Sequence, residues 1–377
     1  MILFIHGKRL LSQNLIIDFK MNILNKYILN KFLKTFLFVV AIMVLVVVVI
    51  DFTEKNHKFI QNKLSWNDIV GYYYGFIPYI ISLVTPITAF IATVYVTAQL
   101  SMRSELIAIL SSGKSLFSVI RSFFIGAVII ASISFVLNGW IIPHLNKDRV
   151  SFEVMYIKSP YYFSDKNVHF KVSENSYLYL ERYDNNMEIG YNVTLENFDG
   201  INLKSKLFAR QIIWKNELNK WRLKSWRKRD LGDKGEKIED GFELDTALLV
   251  GPSDFDNNYR LSETFTMGEL NEFIKLQSLR GADDIDLYKI EKYIRIAQPF
   301  TVILLVILGV IIASKKSRQG TGYLIALGFA FAFAFIISFV MSRAFAENGS
   351  INPLLAVWLP NIIFGFITIY IYRIIPK

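Results

Sequence analysis

Residues 108 to 115 read Ala-Ile-Leu-Ser-Ser-Gly-Lys-Ser, a loose phosphate-binding loop in which Ala replaces the first Gly. Such a loop needs a buried strand before it, a helix after it whose N-terminal amides face the phosphates, and an acidic metal ligand on a parallel sheet. Long apolar runs flank this segment and supply none of these, so it is not read as a nucleotide site. Trp214, Trp221 and Trp226 stand among Lys and Arg and offer a second chemistry, stacking against bases or sugars. Strand alternation sends such rings into a core, which is the reading adopted. The four His residues are scattered, and no Ser/His/Asp set or metal spacing can be assembled. The absence of Cys removes disulfides, thiolate metal sites, iron–sulfur clusters and cysteine nucleophiles. No catalytic residue, metal or cofactor is expected, and the chain is not read as an enzyme.

The elements that would position any chemistry are bilayer-sized. Of the 377 residues, 53% are hydrophobic, the mean hydropathy is +0.35, and the apolar residues are bunched. Runs over 36–50, 69–100, 116–142, 297–313, 323–341 and 354–374 suit the roughly twenty-residue span of a bilayer core. The pattern predicts an α-helical membrane protein with six transmembrane helices plus an inserted all-β, jelly-roll-like domain. The net charge of +10 fits cationic cytoplasmic loops facing anionic lipid, so nucleic acid is not an expected partner. The first run ends in Asp51-Phe52-Thr53-Glu54, with no small-residue cleavage site, so it is read as a retained span and not a signal peptide. Residues 1 to 20 read as an upstream extension, with Met21 as the natural start before an amphipathic stretch carrying Ile23, Leu24, Tyr27 and Ile28.

Pro78 and Pro86 predict a bent second span, and Trp140 with Pro143 marks the interfacial end of the third. Lys26, Lys31 and Lys34, then Arg103, Lys114 and Arg121, then Lys315, Lys316 and Arg318, then Arg373 and Lys377 belong on the cytoplasmic side. The opposite 52–67 loop carries Lys55, Lys58 and Lys63. Both termini are then cytoplasmic, and the insert is periplasmic in a diderm bacterium. The organisation is 1–33 extension and interfacial helix, 34–149 spans one to three, 150–263 β-domain, 264–296 amphipathic connecting helices and 297–377 spans four to six. Within the insert the period changes to two, as in Val168-His169-Phe170-Lys171-Val172, and Asp199-Gly200 and 216–220 supply turns. An antiparallel sandwich or jelly roll is expected. Gly281 divides the connecting helices.

Residues 103 to 113 read as a short cytoplasmic helix with Leu106, Ile107, Ile109 and Leu110 on a broad apolar face and Gly113 at its end. Glu105 suits the helix dipole, or alternatively docks a partner. Here the residues resemble the permease subunits that export lipopolysaccharide from the inner membrane, the LptF/LptG type. The carriers are Arg103-Ser104-Glu105-Leu106 with Ser112-Gly113, Gly139-Trp140 with Pro143, and Gln298-Pro299, together with the three-plus-insert-plus-three order after Met21.

The resemblance implies an ABC transporter subunit in the bacterial inner membrane that extracts lipopolysaccharide. Its implied partners are a cytosolic ATPase dimer, a second permease and a periplasmic bridge protein. Arg103 to Gly113 would be the coupling helix, with Glu105 its ionic contact. Lys55, His57 and Lys58 stand where the family places head-group cations, while Asp51 stands where some members carry Lys. A solvated loop is the other reading of Lys55 and Lys58. Arg343 either points into the cavity or snorkels outward, the second being slightly favoured. Ala326, Ala330 and Ala334, with Gly328 and Ala332, recur at spacing four and serve a permease contact, a lateral gate or ordinary packing. The competing functions are an ion-coupled secondary transporter, disfavoured by the scarcity of mid-span charges, and a non-transporting anchored scaffold or receptor.

Overall fold

The computed structural model describes residues 23–158, 166–173, 175–184, 187–232, 235–248, 250–255, 260–280, 285–314 and 320–374. Met21 and the extension before it, Asn185-Asn186, Gly281, Lys315, Lys316, Arg318 and Lys377 lie outside these residues.

Six helices among the described residues are long and apolar enough to cross a membrane. The first, α1 (Ile23–Gln61), has 39 residues, about 58 Å at 1.5 Å per residue, against a hydrocarbon core of about 30 Å. It therefore takes in both the expected interfacial stretch and most of the expected 52–67 loop. That loop reduces to a turn: Lys63 adopts φ 52°, and Ser65 starts α2 (Trp66–Met102) through a reciprocal capping box with Asp68. Pro78 and Pro86 both sit inside α2, which stays unbroken.

Arg103 caps α2, Ser104 takes a left-handed φ of 59°, and the seven-residue α3 (Glu105–Ser111) follows. Gly113, at φ 84°, ends it as the sequence predicts. The third crossing, α4 (Leu116–Val136), does not stop at Pro143. A π-helical turn at Leu137–Ile141 leads into α5 (Ile142–Phe152), where Pro143 occupies the first turn and needs no backbone donor, and a second π turn closes at Ile157.

Six strands follow: β1 (Lys166–Ser173), β2 (Ser176–Asp184), β3 (Ile189–Asp199), β4 (Asn202–Lys215), β5 (Lys220–Gly232) and β6 (Gly235–Thr246). The inserted all-β domain is present as one six-stranded antiparallel sheet whose strands neighbour each other in sequential order, a meander. Its apolar face is built from every second residue, including Leu178, Leu180, Val193, Leu207 and Leu223. The segment after β6 folds back over that face: Trp221 Nε1 donates to the Val250 carbonyl at 2.5 Å, and Phe255 stacks on Tyr183. Trp221 is buried, while Trp214 and Trp226 pack at the edge of the same cluster. All three rings thus serve the core.

The chain returns through α6 (Met267–Arg280), then α7 (Ile285–Ala313), α8 (Gly320–Glu347) and α9 (Pro353–Ile374). The second expected connecting helix is the first part of α7, continuous with the fourth crossing. Helices α2 and α7 are central, each with 61% of its apolar stretch buried within the chain, whereas α1 has 11%. Lipid tails are as apolar as Leu, so close approach and polar contacts decide helix association in a bilayer. Gly126 shows the first: a Cβ there would lie 2.6 Å from the Phe32 ring, so α4 meets α1 only with no side chain at that position. At Gly75 a Cβ would likewise lie 2.6 Å from the Leu145 carbonyl oxygen of α5.

Polar contacts complete what the prolines remove. Pro86 has no N–H for the Ser82 carbonyl one turn back, and Gln298 of α7 donates to that carbonyl at 2.7 Å. Pro360 leaves the Ala356 carbonyl free in the same way, and the Ser342 hydroxyl of α8 donates to it at 2.5 Å.

Candidate functional site

A cavity of about 720 Å³ opens at the β-domain end of the bundle, between α2, α5, α7 and α8. Leu83, Ile87, Phe335 and Phe339 give it apolar walls. A neutral polar step follows, where Ser82, Asn138 and Gln298 bond to one another; Asn138 Nδ2 donates to Gln298 Oε1 at 2.9 Å. Charged residues make the rim: Glu263, Glu291, Arg295, Arg343 and Glu347. An apolar floor beneath a charged rim suits an amphiphile.

The rim is also the root of the β-domain. Arg149 of α5 is fully buried, pairs with Glu263, and stacks 4.0 Å over the Tyr79 ring of α2. Asn146 Nδ2 donates to the Glu263 backbone carbonyl at 3.1 Å. Arg295 spends its guanidinium on Glu291 at 2.8 Å and on the carbonyls of Phe265 and Ser262 at 2.6 and 2.9 Å. Burial pushes the Glu263 carboxyl above its ordinary range, and the Arg149 and Arg260 charges oppose that shift. Nearby, the Thr266 backbone N–H and hydroxyl hold the Glu269 carboxylate down at about 2, with help from Lys147. The segment between β6 and α6 is thus fastened to α2, α5 and α7 before the chain re-enters the bundle.

Lys55 occupies a second buried cluster. Its ammonium lies 2.6 Å from Asp51 and 3.7 Å from Glu153, and it donates to the Tyr72 hydroxyl. It therefore fastens α1 to α2 and to the π turn after α5, and the solvated-loop reading does not describe it. Asp51 is its partner in this cluster. His57 and Lys58, on the same helix, are exposed. Arg343 lines the cavity at its rim and pairs with Glu347 at 2.7 Å.

At the far end of the bundle, Leu106 and Ile109 of α3 are buried against Ile28, Phe32, Val119 and Ile120. Ile107 and Leu110 stay exposed, so the expected single apolar face is divided between the bundle and solvent. Glu105 accepts from the Tyr27 hydroxyl at 3.1 Å and lies 4.0 Å from Lys31. The small residues of α8 divide similarly. Gly328 and Ala332 are buried, with Gly328 tight against Val94 of α2, whereas Ala326, Ala330 and Ala334 face outward. Ala332 also lines an apolar groove of about 390 Å³ between α1, α2 and α8.

Sequence reasoning passed over Arg149, Glu263, Arg295 and Tyr79. Charges at the end of an apolar run were the available signal, because a charge there is tolerated only when paired. Among the described residues no group of His, Cys, Asp and Glu is placed to hold a metal. The chain matches the family model of the lipopolysaccharide export system permease LptF/LptG over residues 26–374. No curated protein matches it.

Proposed function

Because this chain belongs to the lipopolysaccharide export system permease family LptF/LptG, we propose that it is the transmembrane half of an ATP-driven extractor. In this reading it lifts the glycolipid from the inner membrane and passes it by the β-domain to a periplasmic bridge. The family is a non-catalytic transporter component, and a separate cytosolic ATPase dimer supplies the hydrolysis. The termini are cytoplasmic and the β-domain periplasmic.

The observation that carries the reading is the cavity: apolar walls for acyl chains, a charged rim for a head group, and Glu263 of the β-domain root in that rim. Arg343 is the head-group candidate inside the cavity, and exposed His57 and Lys58 are candidates on α1. Lys55 acts by holding α1. Exposed Ile107 and Leu110, with Glu105 beside them, form the ATPase contact on α3. A second permease covers the apolar surface of α1 and the Ala326, Ala330, Ala334 face of α8, and the groove between α1 and α8 is the gate.

Mass spectrometry of lipid retained on the purified protein tests the transport reading. Retained glycolipid supports it, and phospholipid alone favours the scaffold. An ATPase pulldown tests docking. Glu105→Arg is expected to weaken capture; deletion of 103–113 also removes buried Leu106 and Ile109, so the point variant is the cleaner test. Undiminished capture by Glu105→Arg refutes the coupling role.

A further inference from the structure

We infer that this cavity selects a glycolipid whose head group carries both a phosphate and an ammonium, over one that carries bare phosphate. The inference rests on the transport reading above and names the substrate chemistry of the same cavity.

A site for a polyanionic head is expected to present unpaired cations. This rim presents two Arg and three Glu, and each of its Arg residues is already paired with a carboxylate four residues away on its own helix. Arg149 behind the rim is charge-paired with Glu263 through Nη2, and Lys55 on α1 is paired with Asp51 and Glu153. A bare phosphate drawn to Arg343 arrives beside Glu347, and like charges a few ångströms apart repel, by less at this partly exposed position than in a dry interior.

A zwitterionic head meets the same pair without that conflict. Arg295 has a partner on each of its three nitrogens, so it has less to offer than Arg343. Arg343 bonds Glu347 through Nε, and among the described residues its two terminal nitrogens have no other acceptor. Those nitrogens suit two phosphate oxygens. The ammonium then lies against Glu347 or Glu291. A further acceptor is ready in the lining: Asn146 is 2% exposed, and its Oδ1 has no donor among the described residues. A zwitterionic head thus places a cation beside the rim carboxylates as well as an anion beside Arg343, which a bare phosphate cannot do.

The test uses the full-length protein in lipid nanodiscs, with two probes: lipid A bearing phosphoethanolamine, and the same lipid A bearing unsubstituted phosphate. Wild type is expected to bind the first about tenfold more tightly, and soluble phosphoethanolamine is expected not to compete. Glu347→Gln, at a partly exposed position, should erase most of the preference by weakening the first probe and strengthening the second. Glu291→Gln should act in the same direction, and Arg343→Gln should weaken both probes. Equal or tighter binding of the unsubstituted form by wild type overturns the inference, as does a preference that survives Glu347→Gln. Competition by soluble phosphoethanolamine at equal concentration overturns its lipid part. If neither probe binds, it is the transport reading that fails.

Discussion

Replacing Gln298 by Leu tests whether the bundle is held by side chains that finish hydrogen bonds broken by proline. The substitution removes the 2.7 Å bond to the Ser82 carbonyl and the acceptor for Asn138 Nδ2 at 2.9 Å. Asn138 keeps Ser134 at 3.2 Å, so the Ser82 carbonyl carries most of the loss. An orphaned buried polar group costs about 1–3 kcal/mol, and cross-helix bonds in membranes average about 0.6 with a ceiling near 1.7. The upper part of that second range applies, because Pro86 denies the carbonyl its ordinary donor even in a separated helix. The expected loss is therefore about 1–2 kcal/mol, read as unfolding free energy from SDS titration in mixed micelles. Pro86→Ala provides the control, since it restores an N–H to Ser82. In that background Gln298→Leu should cost about 1 kcal/mol less, a coupling energy typical of contacting residues. An identical cost with and without Pro86 would falsify the account.

Two further predictions concern the β-domain root. Arg149→Leu leaves Glu263 without its main counter-charge, at a cost of about 3–5 kcal/mol if the carboxylate stays ionised. Hydrogen exchange around residues 260–266 should rise at neutral pH while α4 amides stay protected, and unchanged protection there would refute the fastening role. Glu269, held down at about 2 from an ordinary 4.5, contributes stability that is complete above 4.5 and lost as pH falls towards 2. Protection factors in the first turn of α6, referred to intrinsic exchange at each pH, should fall across that window, and Glu269→Gln should remove the dependence.

The membrane count, the position of the insert and the core role of Trp221 were legible because each follows from local periodicity. The lengths of α1 and α5 were not. Residues 52 to 61 carry no apolar run, yet they stay helical because Lys55, Asp51 and Phe59 meet α2 and the end of α5, a tertiary effect with no local signature. Pro143 reads as a stop in isolation, and the π turn before it turns that stop into a first turn. The cavity rim was half legible. Arg343 stood out as a charge in an apolar run, whereas Arg149 and Glu263 meet from positions 114 residues apart and make sense only as a pair. Strand connectivity was least legible, since alternation says which face a residue takes and nothing about which strand it neighbours.

The central place of α7 sets the schedule on which this protein is made. Val302, Val306 and Val310 fill the middle of the cluster that also holds Ala89, Ala92 and Phe123, so the first three crossings are complete before their shared partner exists. About 160 residues separate the end of α5 from the end of α7. At 5–20 residues per second the ribosome needs roughly ten to thirty seconds to supply them. Through that interval the early helices stand in lipid with their small-residue and Thr-rich faces unmatched, while the β-domain is being made. A chaperone or insertase that shelters α2 during this pause would act before any lipid is carried, and slowed synthesis between residues 158 and 285 should lower the yield of folded protein more than the same delay placed after residue 313.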